Sequence, residues 1–281
     1  MHQIDENQSY CRGLVREFDR ERYLVTLFAP AQVQRSIWTI LSFNQEVAKI
    51  RESVSETALG EIRLQWWQEV LEEIQAGSVR QQPVIKELSH LAGNADVWRL
   101  LGEVLEARRH DMFAETVAGM NDLETYAFGA GGALHEAMLC ANSSEIVTSE
   151  TRSAVRAGGA AWAMLGLIRA LPFHWQSGKS MLPQENDSAM QMRATDEAFE
   201  ALEPTILNMK SYVEQQLSIA EQFAGKIPKV ARFSVLSVSL ARLHLKALSR
   251  ANNNPFEMPP YEVSDLRKIA RLMWSQLTGK L

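Results

Sequence analysis

Apolar residues recur at steps of three and four along most of the chain, as in helices that bury one face. The clearest stripe comprises Val97, Leu100, Leu101, Val104 and Leu105. Similar stripes run through residues 62–74, 206–220 and 233–243. No sustained run of alternating β-branched residues lies between turn signals. The pattern therefore predicts an all-α protein.

Prolines, glycines and capping residues divide the chain into nine predicted helices. They cover residues 7–19, 31–50, 56–76, 95–116, 121–141, 149–170, 194–225, 229–251 and 261–278. Two segments are predicted to be loops: residues 172–187, with Pro, Gly, Ser and Asn, and residues 252–260, with three asparagines and three prolines. Both are too short to link independent domains. We therefore expect residues 1–281 to form a single domain.

Charge and cysteine content narrow the function classes. The chain has 29 basic and 34 acidic residues, with no basic stripe, which excludes nucleic acid as an expected partner. Its cysteines, Cys11 and Cys140, are too few for a disulfide framework and fit a reducing compartment. The N-terminus is polar and acidic, and the longest apolar stretch, 160–168, is too short to span a bilayer. We expect a cytoplasmic protein whose membrane contact is at most peripheral.

Residue spacing alone assigns no reaction. The adjacent pairs His110–Asp111 and His135–Glu136 point apart on a helix, so they are interpreted as solvated helix faces rather than metal ligands. No Gly-rich phosphate loop or nucleophile elbow is present. The paired Trp66–Trp67 should split, with one ring in the core and the other outside, because neighbours on a helix point about 100° apart.

Several short motifs resemble the squalene/phytoene synthase family, in its order and spacing, from about residue 10 to 250. These motifs are Arg22-Tyr23, Leu27-Phe28-Ala29-Pro30, Phe43-Asn44-Gln45-Glu46, Arg63-Leu64-Gln65-Trp66-Trp67, Ala107-Arg108-Arg109-His110-Asp111 and Leu182-Pro183. The resemblance implies a helical bundle of the isoprenoid synthase type around a central apolar cavity. It also implies head-to-head joining of two prenyl diphosphates, with Mg²⁺ held by two aspartate-rich helices.

The aspartate motifs of that family are degraded in this sequence. The first falls on Arg51 and Ser55, with Glu52 as its one acidic residue. The second keeps its arginine, Arg169, but has Ala170 and His174 in place of aspartates. Mg²⁺ bridged by carboxylates stabilises the leaving diphosphate, and none of the four expected carboxylates remains. We therefore expect no catalytic residues, no metal and no cofactor; Mg²⁺ is expected only if transferase activity survives.

The retained cavity is a candidate site for a prenyl or quinone tail. Its candidate lining residues are Tyr23, Phe28, Phe43, Arg109, Tyr126, Phe128, Trp162, Met164 and Arg169. Of these, Tyr23, Arg109 and Arg169 are expected near a polar head group. The alternative is that the aromatic residues only fill the space between helices.

A particular branch of the family is the most similar. The strings FNQEVAKIRESVSE, GEIRLQWW and GLIRALPFH resemble the mitochondrial complex I assembly factor branch and its bacterial relatives. This implies a non-catalytic role in assembling the respiratory NADH:ubiquinone oxidoreductase, with complex I subunits or assembly factors as partners, or in isoprenoid or quinone binding. One alternative is a head-to-head prenyl diphosphate transferase with an altered metal site. Another is a lipid or quinone carrier.

Overall fold

A computed structural model describes residues 5–54, 56–110, 117–142, 147–177, 181–192, 194–258 and 263–281. These residues form helices joined by turns, and they include no β-strand, which confirms the all-α prediction. The α-helices are α1 Glu6–Phe18, α2 Arg20–Thr26, α3 Ala31–Ala48, α4 Ile50–Ser53, α5 Thr57–Gln75, α6 Pro83–Ser89, α7 Ala95–His110, α8 Met120–Tyr126, α9 Ala133–Cys140, α10 Ser149–Ser177, α11 Asp187–Met190, α12 Thr195–Ala224, α13 Leu236–Arg250 and α14 Asp265–Thr278. Short 3₁₀ segments cover Gln184–Asn186, Lys229–Val235 and Pro255–Glu257.

Two short helices, α2 and α6, were missed by the sequence pattern. The Asp19 carboxylate accepts a hydrogen bond from the backbone N–H of Arg22, and this cap starts α2 directly after α1. Helix α6 begins at Pro83, where a missing N–H costs nothing, and the Gln82 side chain caps it. Each helix has only seven residues, which is too few for a period of 3.6 to become visible.

The predicted loop at 172–187 was wrong over its first part, because α10 continues through Pro172 to Ser177. Helix α12 likewise contains Pro204. An internal proline removes one helical hydrogen bond and crowds the preceding turn. Here α10 and α12 pack against each other, and this burial compensates for the loss. Residues 111–116 of the predicted helix 95–116, and 178–180 of the predicted loop, lie outside the described residues.

The predicted helix 121–141 is interrupted by a π-helical segment, Ala127–Gly132, between α8 and α9. Glycine is required at this point by a close crossing with α10. A Cβ atom on Gly131 would lie 2.3 Å from the Gly159 carbonyl oxygen. The two glycines therefore let the backbones approach closely, and π-helical segments of this kind are frequent at functional sites.

The core consists of two main apolar clusters that meet at α10. The first is formed mainly by α1, α3, α5, α6, α7 and α9, and the second mainly by α8, α10, α12 and α13. Trp162 on α10 packs against both.

Among the described helices, α10 is long and apolar enough to cross a bilayer, but 67% of its most apolar window is buried in the fold, as in a core helix. Trp67 is 4% exposed and Trp66 38%, which confirms the predicted split.

Candidate functional site

A buried ion pair lies at the junction of α1, α2 and α3. The Arg22 Nε is 2.5 Å from Asp19 Oδ2, and both side chains are mostly buried. The Gln45 side-chain amide on α3 donates to the same carboxylate oxygen at 3.4 Å. The guanidinium and carboxylate neutralise each other, so this group offers hydrogen bonds without a net charge.

A second hydrogen-bonded group connects α3, α7 and α8. The Arg108 Nη2 donates to the Oδ1 of Asn44 at 3.1 Å, and its Nη1 donates to the hydroxyl of Tyr126. Asn44 is 1% exposed and Tyr126 8%. Asn44 directly precedes Gln45 on α3, so this helix contributes to both polar groups. Tyr126 belongs to the second apolar cluster, whereas α3 belongs to the first, which places the group between the clusters.

His135 on α9 is a third buried polar group. Its Nδ1 lies 2.9 Å from the Gly131 carbonyl oxygen, which can only accept, so Nδ1 carries the proton. Burial lowers the pKa of His135 to about 3, and the positive charge of Arg22 adds to the effect. The imidazole is therefore neutral at pH 7, and its Nε2 is a lone-pair acceptor. This Nε2 is buried and has no hydrogen-bond partner among the described residues.

The interpretation of His135 and Glu136 as solvated was wrong. They are 1% and 3% exposed, because α9 is covered on its sides by α3, α7 and α10. Glu136 pairs with the Arg156 Nε at 2.7 Å and with Arg152. These ion pairs connect α9 to α10. The side chain of His110 lies outside the described residues, as does Asp111.

The arginine retained from the second motif is engaged by a carboxylate. Arg169 Nη1 on α10 lies 3.0 Å from Oε2 of Glu21 on α2. Glu21 also contacts His244 Nε2 on α13 and Lys268 Nζ on α14, each at 2.7 Å. Burial alone would raise the pKa of Glu21, but the hydrogen bonds from His244 and Lys268 and the charge of Arg169 outweigh it and hold the pKa well below its ordinary value. One carboxylate thus joins four helices.

The motif positions do not fit Mg²⁺, which needs several oxygen ligands in octahedral geometry. Arg51 and Glu52 lie on α4, where Glu52 is exposed, and Ser55 lies outside the described residues. Ala170 and His174 lie on α10, where His174 packs edge-on against Phe173. Nowhere in the described part of the chain do three or more His, Cys, Asp or Glu side chains come together as metal ligands.

Six of the nine predicted pocket residues pack in the two apolar clusters. Tyr23, Phe28 and Phe43 pack in the first, Met164 in the second, and Trp162 against both. Phe43 is fully buried and packs edge-on against Trp67, with ring centroids 5.4 Å apart. The hydroxyl of Tyr23 accepts from Arg12. These contacts account for the packing of the aromatic residues; their role in ligand binding stays a prediction.

Two of the nine, Tyr126 and Phe128, line a described cavity of about 510 Å³ between α7, α8, the π-helical segment and α12. Arg109, also one of the nine, pairs instead with Glu61 at 3.0 Å and with Glu106 at 3.0 Å. The arginine that reaches the buried polar groups is its neighbour Arg108. Phe128 is 39% exposed and lies under the Arg156 guanidinium.

The model of squalene/phytoene synthases matches residues 15–277 of the chain. The chain belongs to the squalene/phytoene synthase family. Among curated proteins it is similar to the human NADH dehydrogenase (ubiquinone) complex I, assembly factor 6, with 27% identity over 257 residues, covering 88% of this chain and 75% of the human protein. The assembly factor 6 of Rattus norvegicus is 25% identical over 261 residues, covering 90% and 77%.

Solved structures of this family share the fold. A dehydrosqualene synthase bound to a ligand has a TM-score of 0.77 at 17% identity, covering 97% of this chain and 96% of that one. A squalene synthase from Alicyclobacillus acidocaldarius has a TM-score of 0.73 at 18% identity, covering 89% and 95%. The isoprenoid synthase type of fold is thereby confirmed.

The sequence motifs contained Arg22, Asn44, Gln45 and Arg108 but did not indicate which of their residues face each other. His135 was misinterpreted as solvated because spacing rules compare positions along one helix, whereas its burial comes from the helices that pack around α9. One signal was available. His135 lies in an apolar run, residues 133–140, where a polar side chain that is buried needs a specific partner.

Proposed function

We propose that this family member does not ionise prenyl diphosphates, and instead binds a neutral isoprenoid head group while acting in complex I assembly. The observation that carries the proposal is the state of the second motif. Arg169 is neutralised by Glu21, and the two positions that should carry aspartate have Ala170 and His174. With no carboxylate at these two positions, α10 does not present the oxygen ligands of the second motif to a magnesium cluster.

The charge balance of the buried site favours a neutral ligand. Asp19 already neutralises Arg22, and a diphosphate placed beside this pair would meet the carboxylate as a like charge. A quinone head group instead accepts hydrogen bonds at its carbonyl oxygens, and the quinol form also donates them from its hydroxyls. Donor groups on Asn44 and Arg108 suit its carbonyl oxygens, and Nε2 of His135 suits its hydroxyl. Apolar side chains of both clusters surround these groups and suit the isoprenoid tail.

Similarity to complex I assembly factors supports the biological role. The relatives from Rattus norvegicus and human match along most of this chain, and their names describe proteins that assemble complex I. Subunits or assembly factors of the respiratory NADH:ubiquinone oxidoreductase are therefore the proposed partners. The proposed location is the cytoplasm, with peripheral contact to the inner membrane.

Ligand binding can be measured by quenching of tryptophan fluorescence with decylubiquinone, decylubiquinol and farnesyl diphosphate. We expect the quinone or its quinol to bind and farnesyl diphosphate not to bind. The variant Tyr126→Phe keeps the ring but removes the hydroxyl that positions Arg108, and Asn44→Leu removes an amide. Each should weaken binding by about tenfold, the effect of one lost hydrogen bond to a charged or buried partner. Asn142→Leu, outside the site, serves as the control.

The binding proposal fails if farnesyl diphosphate binds more tightly than the quinones. It also fails if folded Tyr126→Phe and Asn44→Leu proteins bind the quinones as the unaltered protein does. Circular dichroism identifies a variant that has lost its fold, and Tyr126→Phe, the smaller change, then decides the outcome.

The assembly role is tested by deleting the gene in its source organism. We expect the amount of assembled complex I, and NADH:ubiquinone oxidoreductase activity in membranes, to fall while succinate dehydrogenase activity is unchanged. A plasmid copy should restore both. Normal complex I in the deletion strain would refute the assembly role without affecting the ligand proposal.

The alternative, a prenyl diphosphate transferase with an altered metal site, is favoured by one observation. The fold matches dehydrosqualene and squalene synthases over nearly the whole chain. This alternative predicts release of pyrophosphate from farnesyl diphosphate with some divalent metal. A quinone or lipid carrier without an assembly role instead predicts an extractable apolar ligand and normal complex I in the deletion strain.

A further inference from the structure

Helix α14 has an exposed apolar stripe. Leu266, Met273, Trp274 and Leu277 are 78%, 51%, 43% and 70% exposed, and Ala270 lies exposed between them. Positions 266, 270, 273, 274 and 277 fall on one helix face, and the stripe is about 16 Å long at 1.5 Å per residue. A contiguous patch of large apolar side chains on a protein surface usually marks an interaction site.

The opposite face of α14 is fixed to the protein. Leu272 and Ser275 are fully buried, and the Ser275 hydroxyl shares a hydrogen bond of 2.6 Å with Ser239 on α13. Lys268 reaches Glu21, and Arg232 donates to the Gln276 carbonyl oxygen at 3.0 Å. The helix is therefore held by its inner face, and its apolar stripe points away from the core in the folded state.

Positive charge flanks the stripe. Helix α14 and the residues after it carry Arg267, Arg271 and Lys280 in addition to Lys268, which pairs with Glu21 on the inner face, and their single acidic side chain is Asp265. Asp265 is itself paired with Arg20 at 3.2 Å. The Arg271 guanidinium lies 4.7 Å from the centroid of the Trp274 ring. This local excess of positive charge contrasts with the net charge of −5 on the whole chain.

We propose that the outer face of α14 docks on an anionic lipid bilayer, with the stripe in the interface and Arg267 and Lys280 at the head groups. Apolar side chains together with tryptophan and flanking basic residues are the features of helices that lie in the membrane interface. Lipid phosphates complement the basic rim, and the stripe has no acidic side chain that they would repel. The inference deepens the proposed function by assigning its membrane contact to a surface, and rests on it only for the location.

Vesicle co-sedimentation with the full chain tests the proposal. Vesicles of phosphatidylcholine alone are compared with vesicles that also contain phosphatidylglycerol. We expect binding to the anionic vesicles, with a partition coefficient about tenfold lower for Leu266→Ser/Leu277→Ser and weakened binding for Arg267→Glu. The control variant Ile62→Ser changes an equally exposed apolar side chain on α5 and should bind as the unaltered protein does.

Absence of binding to anionic vesicles would overturn the proposal, as would equal binding by folded Leu266→Ser/Leu277→Ser protein. Analytical ultracentrifugation tests the alternative that a second copy of the chain binds this surface. A dimer that Leu266→Ser/Leu277→Ser abolishes, with no effect on vesicles, would also overturn it. Vesicle binding by a protein that binds no quinone in detergent would refute the head-group proposal and leave the docking surface standing.

Discussion

The substitution Glu21→Gln is predicted to destabilise the fold, because Glu21 is the only carboxylate that Arg169, His244 and Lys268 share in the described contacts. Its side chain is 12% exposed, with Arg169 at 3.0 Å and His244 and Lys268 at 2.7 Å. Glutamine keeps the shape but leaves the Lys268 ammonium, 13% exposed, without this counter-charge. Removing one partner from a buried pair costs about 3–5 kcal/mol, and residual exposure of Arg169 places the estimate near 3 kcal/mol.

Urea denaturation monitored by circular dichroism measures this loss, and a thermal melt should show a Tm lower by roughly 5 °C. The matched control is Glu221→Gln. Glu221 accepts two hydrogen bonds of 2.7 Å from Arg242, but both side chains are 33% exposed. This surface pair should contribute only about 0–1 kcal/mol. Equal losses for the two variants would refute the reasoning that burial makes the Glu21 cluster important.

The pH dependence provides a second test of the Glu21 cluster. The pKa of Glu21 is lower in the folded state than in the unfolded chain, so its contribution is complete above the unfolded value. This stabilising contribution is lost as the pH falls toward the pKa of Glu21 in the folded state. The stability difference between the unaltered protein and Glu21→Gln should therefore narrow below about pH 4. A difference that stays constant between pH 7 and pH 3 would contradict the low pKa.

Two further predictions concern packing. Gly131→Ala should destabilise the protein by about 2 kcal/mol or more, since its Cβ would overlap the Gly159 carbonyl; Gly166→Ala on α10, with open space around it, should be neutral or slightly stabilising. The urea unfolding midpoints of the two variants are compared, and equal midpoints would contradict the close approach of Gly131 to Gly159. Burial raises the pKa of Cys11 to about 12 and of Cys140 to about 11, so neither thiol should react with Ellman's reagent at pH 8 until urea unfolds the chain. Rapid reaction in the native state would contradict this.

The long helices were predictable because each carries enough turns for its apolar face to repeat. Helices α3 and α5 lie close to their predicted bounds, and α7 begins at its predicted first residue. The short α2 and α6 depend on single caps. The extension of α10 past Pro172 includes Trp175, which packs edge-on against Phe256, a tertiary contact that no local pattern contains.

The candidate site was only partly predictable. The motifs supplied Phe43-Asn44-Gln45 and Arg108-Arg109. Arg109 was expected near the head group, whereas in the described contacts Arg108 is the member of the pair that bonds to Asn44 and Tyr126. Which arginine turns inward is decided by Asn44 and Tyr126, on other helices. The pairing of Glu21 with Arg169 spans 148 residues, and a contact at that separation is set by the fold rather than by spacing.

The central claim, that this member of the family does not ionise prenyl diphosphates, is tested most directly by pyrophosphate release. The purified, unaltered protein is incubated with farnesyl diphosphate and Mg²⁺ or Mn²⁺, and pyrophosphate is quantified beside a protein-free blank. We predict release no faster than the blank with either metal. Release that depends on metal and enzyme concentration, with a coupled prenyl product in the organic extract, would contradict the account.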